Sequence, residues 1–363
     1  MSFLLDFYLN GQDLEILPEV SSFWYDETTY GASTFHLHVT SSDWAKWDKI
    51  VTAGANQVAK LRWGYLEDTI ERWTTWKDVL LTPVTFQYAS GMVEVEIDST
   101  DAGYSLAEVS HGLSFISKRI SQIVKEIVAA NGFSARVEET RGLFTLYQGT
   151  YTDATFIAEV LLAHAVSNSG RADYNFYIED GRTVVFAPVD LSRVAATYTV
   201  RDGVSPPRGD DVEVLKVTFG RLFEATEGSS VNEVRGFHPF RKELLRKVLN
   251  EGNANFSYTA KHRPAVLTSP SIIQLATLDT EDQIDLVSRA TWSTNARKLF
   301  RTEVTLGDYD IDIRPGQVAK LTIFSPDEQV HWTAGRWVVW KVRQWYRPRG
   351  HGTTLYLERR AHE

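Results

Sequence analysis

The pentapeptide QVAKL occurs twice in this chain, as Gln57 to Leu61 in ANQVAKLRWGY and as Gln317 to Leu321 in RPGQVAKLTIF. The two copies start 260 residues apart (317 − 57 = 260). Each copy lies in a strand-like segment within a block of short, turn-punctuated β patterns. Because Val, Ala, Lys and Leu are common residues, the identity gains its weight from this shared position. We therefore predict that the chain contains two copies of one β unit.

Length, composition and charge restrict the class of protein. The chain has 363 residues, which corresponds to about two or three domains. With 43% hydrophobic and 23% charged residues it has the composition of a folded protein. A formal charge of −9 argues against wrapping of nucleic acid, which requires an excess of cationic side chains. The absence of cysteine excludes disulfides and thiolate chemistry, and it fits assembly in a reducing cytoplasm.

The N-terminal segment MSFLLDFYLNGQD predicts neither a signal peptide nor an anchor. It lacks a basic region, and Asp6 interrupts its apolar stretch after a few residues. No apolar run reaches the roughly 18 residues that a membrane-spanning helix requires. We therefore expect no membrane insertion.

Both ends of the chain have the period-two pattern of β-strands. Strands are predicted in FLLDFYLNG, TFHLHVT and QVAKLRWGY near the N-terminus, and in TEVTLGDYDIDIRPGQVAKLTIF, GRWVVWKVRQWYR and GTTLYLERR near the C-terminus. In GMVEVEIDS three apolar residues alternate with three acidic ones: Val93, Val95 and Ile97 against Glu94, Glu96 and Asp98. One face of that strand is predicted to be buried and the other acidic.

Helical spacing replaces this pattern in the middle of the chain. One helix is predicted from the apolar positions Ile116, Ile120, Ile123, Val124, Ile127 and Val128, with Asn131-Gly132 as its stop. A second helix begins at an N-cap, Thr152 or Asp153, and is ended by Gly170, and a hairpin then turns at Asp180-Gly181. A third helix near residue 280 has a capping box of Thr280 and Gln283 and an ion pair between Asp285 and Arg289.

These segments predict a mainly β fold with an α+β insert. The expected division is a first β-rich domain at 1–104, an α+β domain of helix, strand, helix and hairpin at 105–195, and a second β-rich domain at 196–363. The last of these contains a helix and a segment near 220–265 that fits no recognisable pattern.

No pattern in the sequence indicates catalysis or a cofactor. There is no G-x-S-x-G elbow, dinucleotide fingerprint or P-loop. His36 and His38 share one strand face but have no third ligand at a useful spacing, so no metal site is predicted. Asp308, Asp310 and Asp312 resemble the start of a calcium loop, but Ile313 and Ala319 stand where Gly and Glu are needed. We expect a protein that is not an enzyme.

Four short patterns carry a family resemblance. Three lie in the middle: a helix ending in Asn131-Gly132, a helix opening with Asp153, Phe156 and Ile157, and a hairpin ending at Phe186 to Pro188. The fourth closes the chain with Trp337, Val338, Val339, Val342, Trp345, Gly352, Thr353, Thr354, Leu355, Leu357 and Arg359. In this order the patterns resemble the baseplate hub proteins of long-tailed bacteriophages, the late-control-protein-D-like family related to the N-terminal part of type VI secretion spike proteins. The usual His before the last turn is Trp345 or its neighbour here.

The resemblance implies a structural protein of the virion tail baseplate. Family hubs carry two tube-type β-barrel domains and a smaller α/β domain per chain and form homotrimers. Such a trimer joins a hexameric tail tube or distal tail protein to a central spike or tail-tip protein, contacts other baseplate proteins and encloses a channel through which DNA passes without specific binding. We expect that residues from the acidic faces line this channel, with Glu94, Glu96, Asp98, Asp308, Asp310 and Asp312 as the candidates.

Two other functions stay open at the level of sequence. Tail tips often carry peptidoglycan hydrolases, although no hydrolase-like segment stands apart from the hub pattern. A carbohydrate-binding β protein could stack sugar rings on the tryptophans near the C-terminus, namely Trp332, Trp337, Trp340 and Trp345. The even spacing of Trp337 and Trp345 in strands favours core or subunit packing instead.

Overall fold

The computed structural model describes residues 2–52, 57–81, 84–101, 103–200, 214–221, 231–238, 241–248, 271–274, 278, 280–297, 300–307, 309–324, 330 and 334–359. The fold is mainly β, as predicted, and fifteen strands belong to one sheet. Within these residues no helix is both long and apolar enough to cross a membrane.

The N-terminal strands form the first β unit, residues 2–101. Its strands are β1 (Ser2–Leu9), β2 (Gln12–Asp13), β3 (Val20–Thr28), β4 (Thr34–Ser41), β5 (Gln57–Glu67), β6 (Ile70–Trp73), β7 (Lys77–Leu81), β8 (Val84–Ala89) and β9 (Met92–Asp101), with helix α1 at Trp44–Thr52. The main path runs β3-β4-β9-β7-β5-β1, with β8 pairing with β9. As predicted, Val93, Val95 and Ile97 are buried and the residues between them are exposed.

The insert, residues 103–188, contains helices and two small sheets. Its elements are α2 (Tyr104–Glu108), β10 (Ser114–Lys118), α3 (Ile120–Ala130), β11 (Ser134–Val137), β12 (Phe144–Tyr147), α4 (Asp153–Thr155), β13 (Tyr174–Glu179) and β14 (Thr183–Pro188). Helix α4 continues as a π-helical turn at Phe156–Leu161 and a 3-10 turn at Leu162–His164. Two of the sequence patterns meet at Asp153, which is fully buried and accepts hydrogen bonds from the side-chain amides of Asn131 and Gln148, both at 2.6 Å.

Most local predictions in the insert are confirmed. The hydroxyl of Thr152 caps α4 by accepting from the Thr155 amide at 3.4 Å, and the hairpin turns at Asp180 and Gly181, both with positive φ. Two predictions are wrong. Ile116 is 75% exposed in β10 rather than on a helix, because α3 begins only at Ile120. The second helix ends at His164, before Gly170.

The second β unit consists of β15 (Val194–Val200), β16 (Val214–Arg221), β20 (Phe300–Leu306), β21 (Val318–Ile323), β22 (Gly335–Arg347) and β23 (Gly350–Arg359). Between β16 and β20 lie β17 (Val231–His238), β18 (Glu243–Val248), β19 (Ser271–Gln274) and helix α5 (Glu281–Arg297). The capping box of α5 is confirmed by two 3.2 Å hydrogen bonds between Thr280 and Gln283, and Arg289 contacts Asp285 at 2.8 Å.

The segment that fitted no sequence pattern is described in part, as β17 and β18. These strands form a three-stranded sheet with β19. Val234 of β17, Leu245 of β18 and Ile284 of α5 belong to the same buried cluster as α3 of the insert. This part of the chain therefore extends the core of the insert.

The two β units have the same strand order and the same register. The path β3-β4-β9-β7-β5 of the first unit corresponds to β16-β20-β23-β22-β21 of the second, where β22 occupies the place of both β7 and β8. In the β8–β9 hairpin Ala89 pairs with Met92, and in the β22–β23 hairpin Arg347 pairs with Gly350 (347 − 89 = 258; 350 − 92 = 258). The same shift relates Val84–Ile97 to Val342–Leu355 (342 − 84 = 258; 355 − 97 = 258).

The irregularities are repeated too. In the first unit the register slips by one residue between the pairs Val20–Val39 and Ser22–His38. In the second unit it slips at the corresponding pairs Val214–Leu306 and Lys216–Thr305 (214 − 20 = 194; 306 − 39 = 267). A shared bulge at a shared register indicates one structural unit present twice, since bulges are specific features of a fold.

The two QVAKL copies occupy equivalent ladder positions, which confirms the predicted duplication. Leu61 pairs with Lys77, and Leu321 pairs with Gly335 (321 − 61 = 260; 335 − 77 = 258). The Ala and Leu of both copies are fully buried. Val58 is 52% exposed whereas Val318 is buried, because Val318 packs with Val189 and Val338.

The units differ at one edge, and a single strand joins them. Strand β1 is antiparallel to β5, whereas β15 is parallel to β21. The first half of β22 pairs with β21 and its second half with β3, so that one sheet runs through both units. Among the described strands the order forms an open path, not a closed barrel.

Candidate assembly surfaces

A buried lysine lies where the first β unit meets the insert. The side chain of Lys77 is 1% exposed, and its Nζ lies 2.8 Å from Glu27 Oε1 and 2.7 Å from Asp180 Oδ1. Glu27 also lies 3.8 Å from Nε of Arg314. Burial alone would lower the pKa of Lys77, but the attraction of Glu27 and Asp180 outweighs it and the pKa is raised. Lys77 therefore stays charged at neutral pH.

A second set of charges crosses the join between β22 and β3. Arg343 binds the buried Asp26 through two hydrogen bonds of 2.7 Å, and Nζ of Lys341 lies 2.8 Å from the same carboxylate. Paired bonds between guanidinium and carboxylate fix relative orientation as well as distance. These contacts hold the strand pairing between the two units in register.

The same join carries a surface pocket of about 570 Å³. Its lining includes Trp24, His36, Arg343, Trp345 and Tyr356. The ring of Trp24 stacks on His36 at 5.4 Å and lies 4.7 Å from the Arg343 guanidinium. Trp345 is thus half-buried in this wall.

The other tryptophans near the C-terminus have different surroundings. Trp337 is 1% exposed inside the core of the second unit, in agreement with the packing role favoured by its sequence position. Trp340 is half-buried, with the Arg301 guanidinium 4.8 Å from its ring, and Trp332 lies outside the described residues.

The acidic face of β9 is exposed and lies beside the imidazoles of β4. His36 is paired across the sheet with Asp98, and His38 with Glu96. Nδ1 of His36 lies 2.7 Å from Asp98 and 3.8 Å from Glu96. These three side chains offer ligand atoms within 4.8 Å of one another, but the two carboxylates are 50% and 64% exposed. Contacts with Asp98 and Trp24 already account for the position of the imidazole.

The second acidic segment is not a strand, so this part of the predicted pattern is wrong. Strand β20 ends at Leu306 and β21 begins at Val318. Tyr309 and Ile311 instead pack into the core of the first unit, so this segment does not continue the strand pairing of β20. Asp310 accepts the Tyr198 hydroxyl at 2.5 Å and two backbone N–H groups, Asp312 is exposed, and Asp308 lies outside the described residues.

The structure also reveals two free strand edges that the sequence patterns did not indicate. Strand β8 pairs only with β9, and β16 pairs only with β20, among the described strands. Tyr88 on β8 is 68% exposed and Phe86 is 36% exposed. Aromatic residues at an unpaired edge are the one sequence signal of such a site, and they are common in strands of every kind.

Comparison with solved structures shows the fold to be that of tail proteins. A tail protein from Neisseria meningitidis MC58 superposes with a TM-score of 0.67 at 11% identity, over 99% of this chain and 97% of that one. The 43 kDa tail protein of prophage MuSo2 from Shewanella oneidensis gives 0.62 at 9% identity, over 99% and 98%.

A third structure comes from a secretion system. This Escherichia coli protein is described as a component of the type VI secretion system with structural similarity to the T4 bacteriophage tail proteins gp27 and gp5. It gives a TM-score of 0.58 at 10% identity, over 98% of this chain and 77% of that one. The resemblance to phage tail and type VI secretion proteins is thereby confirmed at the level of the fold.

Comparison of sequences alone finds no such relationship. No protein family matches the chain, and no curated protein matches it.

Proposed function

We propose that this protein is the structural hub of a phage tail baseplate or of a related injection device, without catalytic activity. The observation that carries the proposal is the duplicated β unit, whose ladders repeat with constant shifts in a fold shared with phage tail proteins. Two equivalent units in one chain are what an adaptor between different symmetries requires.

The proposed assembly is a homotrimer that presents six similar β units. A hexameric tail tube or distal tail protein would stack on one face, and a trimeric central spike or tail-tip protein on the other. Each unit would contribute a tube-type barrel wall, with other baseplate proteins bound around the outside. The protein would be assembled in the host cytoplasm and act in the virion.

The exposed carboxylates of β9 would line the channel of this ring. Glu94, Glu96 and Asp98 are exposed on this face, where Asp98 also contacts His36, and Asp312 is exposed as well. Asp310 is a poorer candidate because its carboxylate is engaged by Tyr198. Negative charges act on DNA phosphates within a Debye length of about 8 Å at physiological salt, which would let DNA pass without binding.

Native mass measurement and electron imaging of the purified protein test the assembly. We expect a species of three chains and rings with three-fold symmetry and a central hole. A monomer alone at micromolar concentration, both by itself and mixed with its tail-tube protein, would contradict the proposal.

Peptidoglycan zymography tests the non-catalytic part of the proposal. We expect no clearing by the purified protein. Clearing by the wild-type chain would instead support the hydrolase alternative.

A further inference from the structure

The strand pairing between β22 and β3 has a counterpart that is not formed within the described part of the chain. Residues of β22 and β3 pair antiparallel, from Lys341–Thr28 to Tyr346–Phe23. By the repeated register, the second half of β22 is equivalent to β8 of the first unit (342 − 84 = 258). Likewise β3 is equivalent to β16 of the second unit (214 − 20 = 194). The two strands that pair at the join therefore correspond to β8 and β16, each of which has one edge without a partner among the described strands.

The aromatic residues at these positions support the correspondence. Tyr346 on β22 is equivalent to Tyr88 on β8 (346 − 88 = 258), so that the same residue type stands at both positions. At the join Tyr346 stacks on Phe3 of the neighbouring unit, with ring centroids 4.4 Å apart. Tyr88 is 68% exposed. Tyr88 is therefore the same residue type at the equivalent position, but it is exposed where Tyr346 is covered by the neighbouring unit.

We infer that β8 of one subunit pairs with β16 of the next, in the register of the internal join. At the internal join Trp345 of β22 pairs with Trp24 of β3. Subtracting 258 from the β22 number and adding 194 to the β3 number gives the equivalent pair, Gln87 of β8 opposite Thr218 of β16 (345 − 258 = 87; 24 + 194 = 218). The pair Tyr346–Phe23 likewise places Tyr88 opposite Val217. The partner is a second copy of this chain, because only that copy supplies the equivalent of β3.

This contact explains how the ring closes. It is heterologous, since one edge of a subunit meets the opposite edge of the next, and such contacts generate rings when the rotation closes. Internal joins and subunit contacts would then alternate around six equivalent units, and every strand edge of this type would be paired. The inference rests on the proposed trimeric hub and adds its interface and register.

Engineered disulfides test the register directly, because the chain contains no cysteine. We expect the double variant Gln87→Cys/Thr218→Cys to form covalent dimers and trimers under mild oxidation, seen on a non-reducing gel and reversed by reductant. The variant Gln87→Cys/Val217→Cys is the matched control, since a slip of one residue puts the partner on the other face of the strand. Trp24→Cys/Trp345→Cys, at the internal join, should give an intrachain disulfide and serves as the positive control.

A second pair of variants tests the contact without oxidation. Tyr88→Lys should raise, at least tenfold, the protein concentration at which half of the chains are trimeric. Tyr147→Lys, at an equally exposed tyrosine of the insert, should leave the trimer unchanged. Circular dichroism of both variants reports whether they are folded.

The outcomes separate this inference from the proposed function. A trimer that gives no disulfide, or equal disulfide in test and control variants, overturns the β8–β16 register and leaves the hub intact. If the test variant forms the disulfide but the ring contains another number of subunits, the β8–β16 interface stands and the trimer is wrong. A monomer with no cross-linking overturns both.

Discussion

Lys77 is the residue through which charge links the first β unit to the insert. Its two carboxylate partners come from β3 and from the turn between β13 and β14, and Thr75 donates to the same Asp180 at 2.6 Å. A buried charge is tolerated only where its partners satisfy it, and removing one member leaves the others uncompensated. Lys77 therefore fixes the insert against the sheet.

Replacing Lys77 by Met should lower the free energy of unfolding by about 3 kcal/mol, because Glu27 loses its buried counter-ion. Urea unfolding followed by tryptophan fluorescence measures the change. Lys60→Met on the exposed face of β5 is the control and should change the value by less than about 0.5 kcal/mol. Equal effects of the two substitutions would contradict a special role for the buried lysine.

Asp101 is a buried carboxyl at the end of β9, and it makes stability depend on pH. Burial raises its pKa from 3.8 to about 6, although the Gly103 amide donates to it at 2.9 Å. A raised pKa means that the folded state binds the proton more tightly, so this contribution to stability is complete below pH 3.8 and is lost as the pH rises through about 6.

The variant Asp101→Asn should remove this dependence. Between pH 7 and pH 4 the wild type should gain about 2–3 kcal/mol relative to the variant, which is measurable by urea unfolding at several pH values. Asp68→Asn, in an exposed turn, is the matched control, and its free energy of unfolding should change with pH as that of the wild type does. A constant difference between wild type and Asp101→Asn across this range would refute the shifted pKa.

At the scale of elements, α3 shows where helical spacing misleads. Ile116 continues the apolar spacing of the helix, yet Ser114–Lys118 pairs with β12 and leaves Ile116 exposed. The apolar positions from Ile120 onward are buried against the rest of the insert. Spacing predicts a periodic face, but the start of a helix depends on its cap and on the strand pairing available to the preceding residues.

Two substitutions of the same residue type distinguish these environments. Ile123→Ala should lower the free energy of unfolding by about 2–5 kcal/mol, because it leaves a cavity in the core of the insert. Ile116→Ala should change it by less than about 0.5 kcal/mol. Thermal unfolding of both variants is the measurement, and comparable losses would place Ile116 on a buried helix face.

For the whole molecule, the position of the acidic face matters more than the net charge. Reversing Glu94, Glu96 and Asp98 to Lys should make the assembled ring retain duplex DNA in a native gel at low salt, because phosphate contacts then replace repulsion. Reversing Glu108, Glu138 and Glu159 on the exposed surface of the insert changes the net charge equally and is the control. Equal retention by the two variants would show that these β9 carboxylates do not line the channel.

Much of the local structure followed from the sequence because local periodicity and caps suffice to specify it. The burial of Val93, Val95 and Ile97, the cap at Thr152, the box of Thr280 with Gln283 and the turn at Asp180 each depend on residues within a few positions of one another. The acidic face of β9 followed from the same alternation. The role of Asp310 did not, since its partner Tyr198 is 112 residues away.

The duplicated β unit shows most clearly which features can be predicted from sequence and which require the three-dimensional structure. Periodicity and repeats in the amino-acid sequence were enough to predict that two β-rich blocks flank an α+β insert and that each block contains a QVAKL copy. The three-dimensional structure was needed to show that the blocks share one register, that β22 pairs with β3 and so connects them, and that β8 and β16 each have an unpaired edge among the described strands. Ladder hydrogen bonds are made by the backbone, which is the same for every residue type, so which distant strands pair depends on how the whole chain buries its apolar faces.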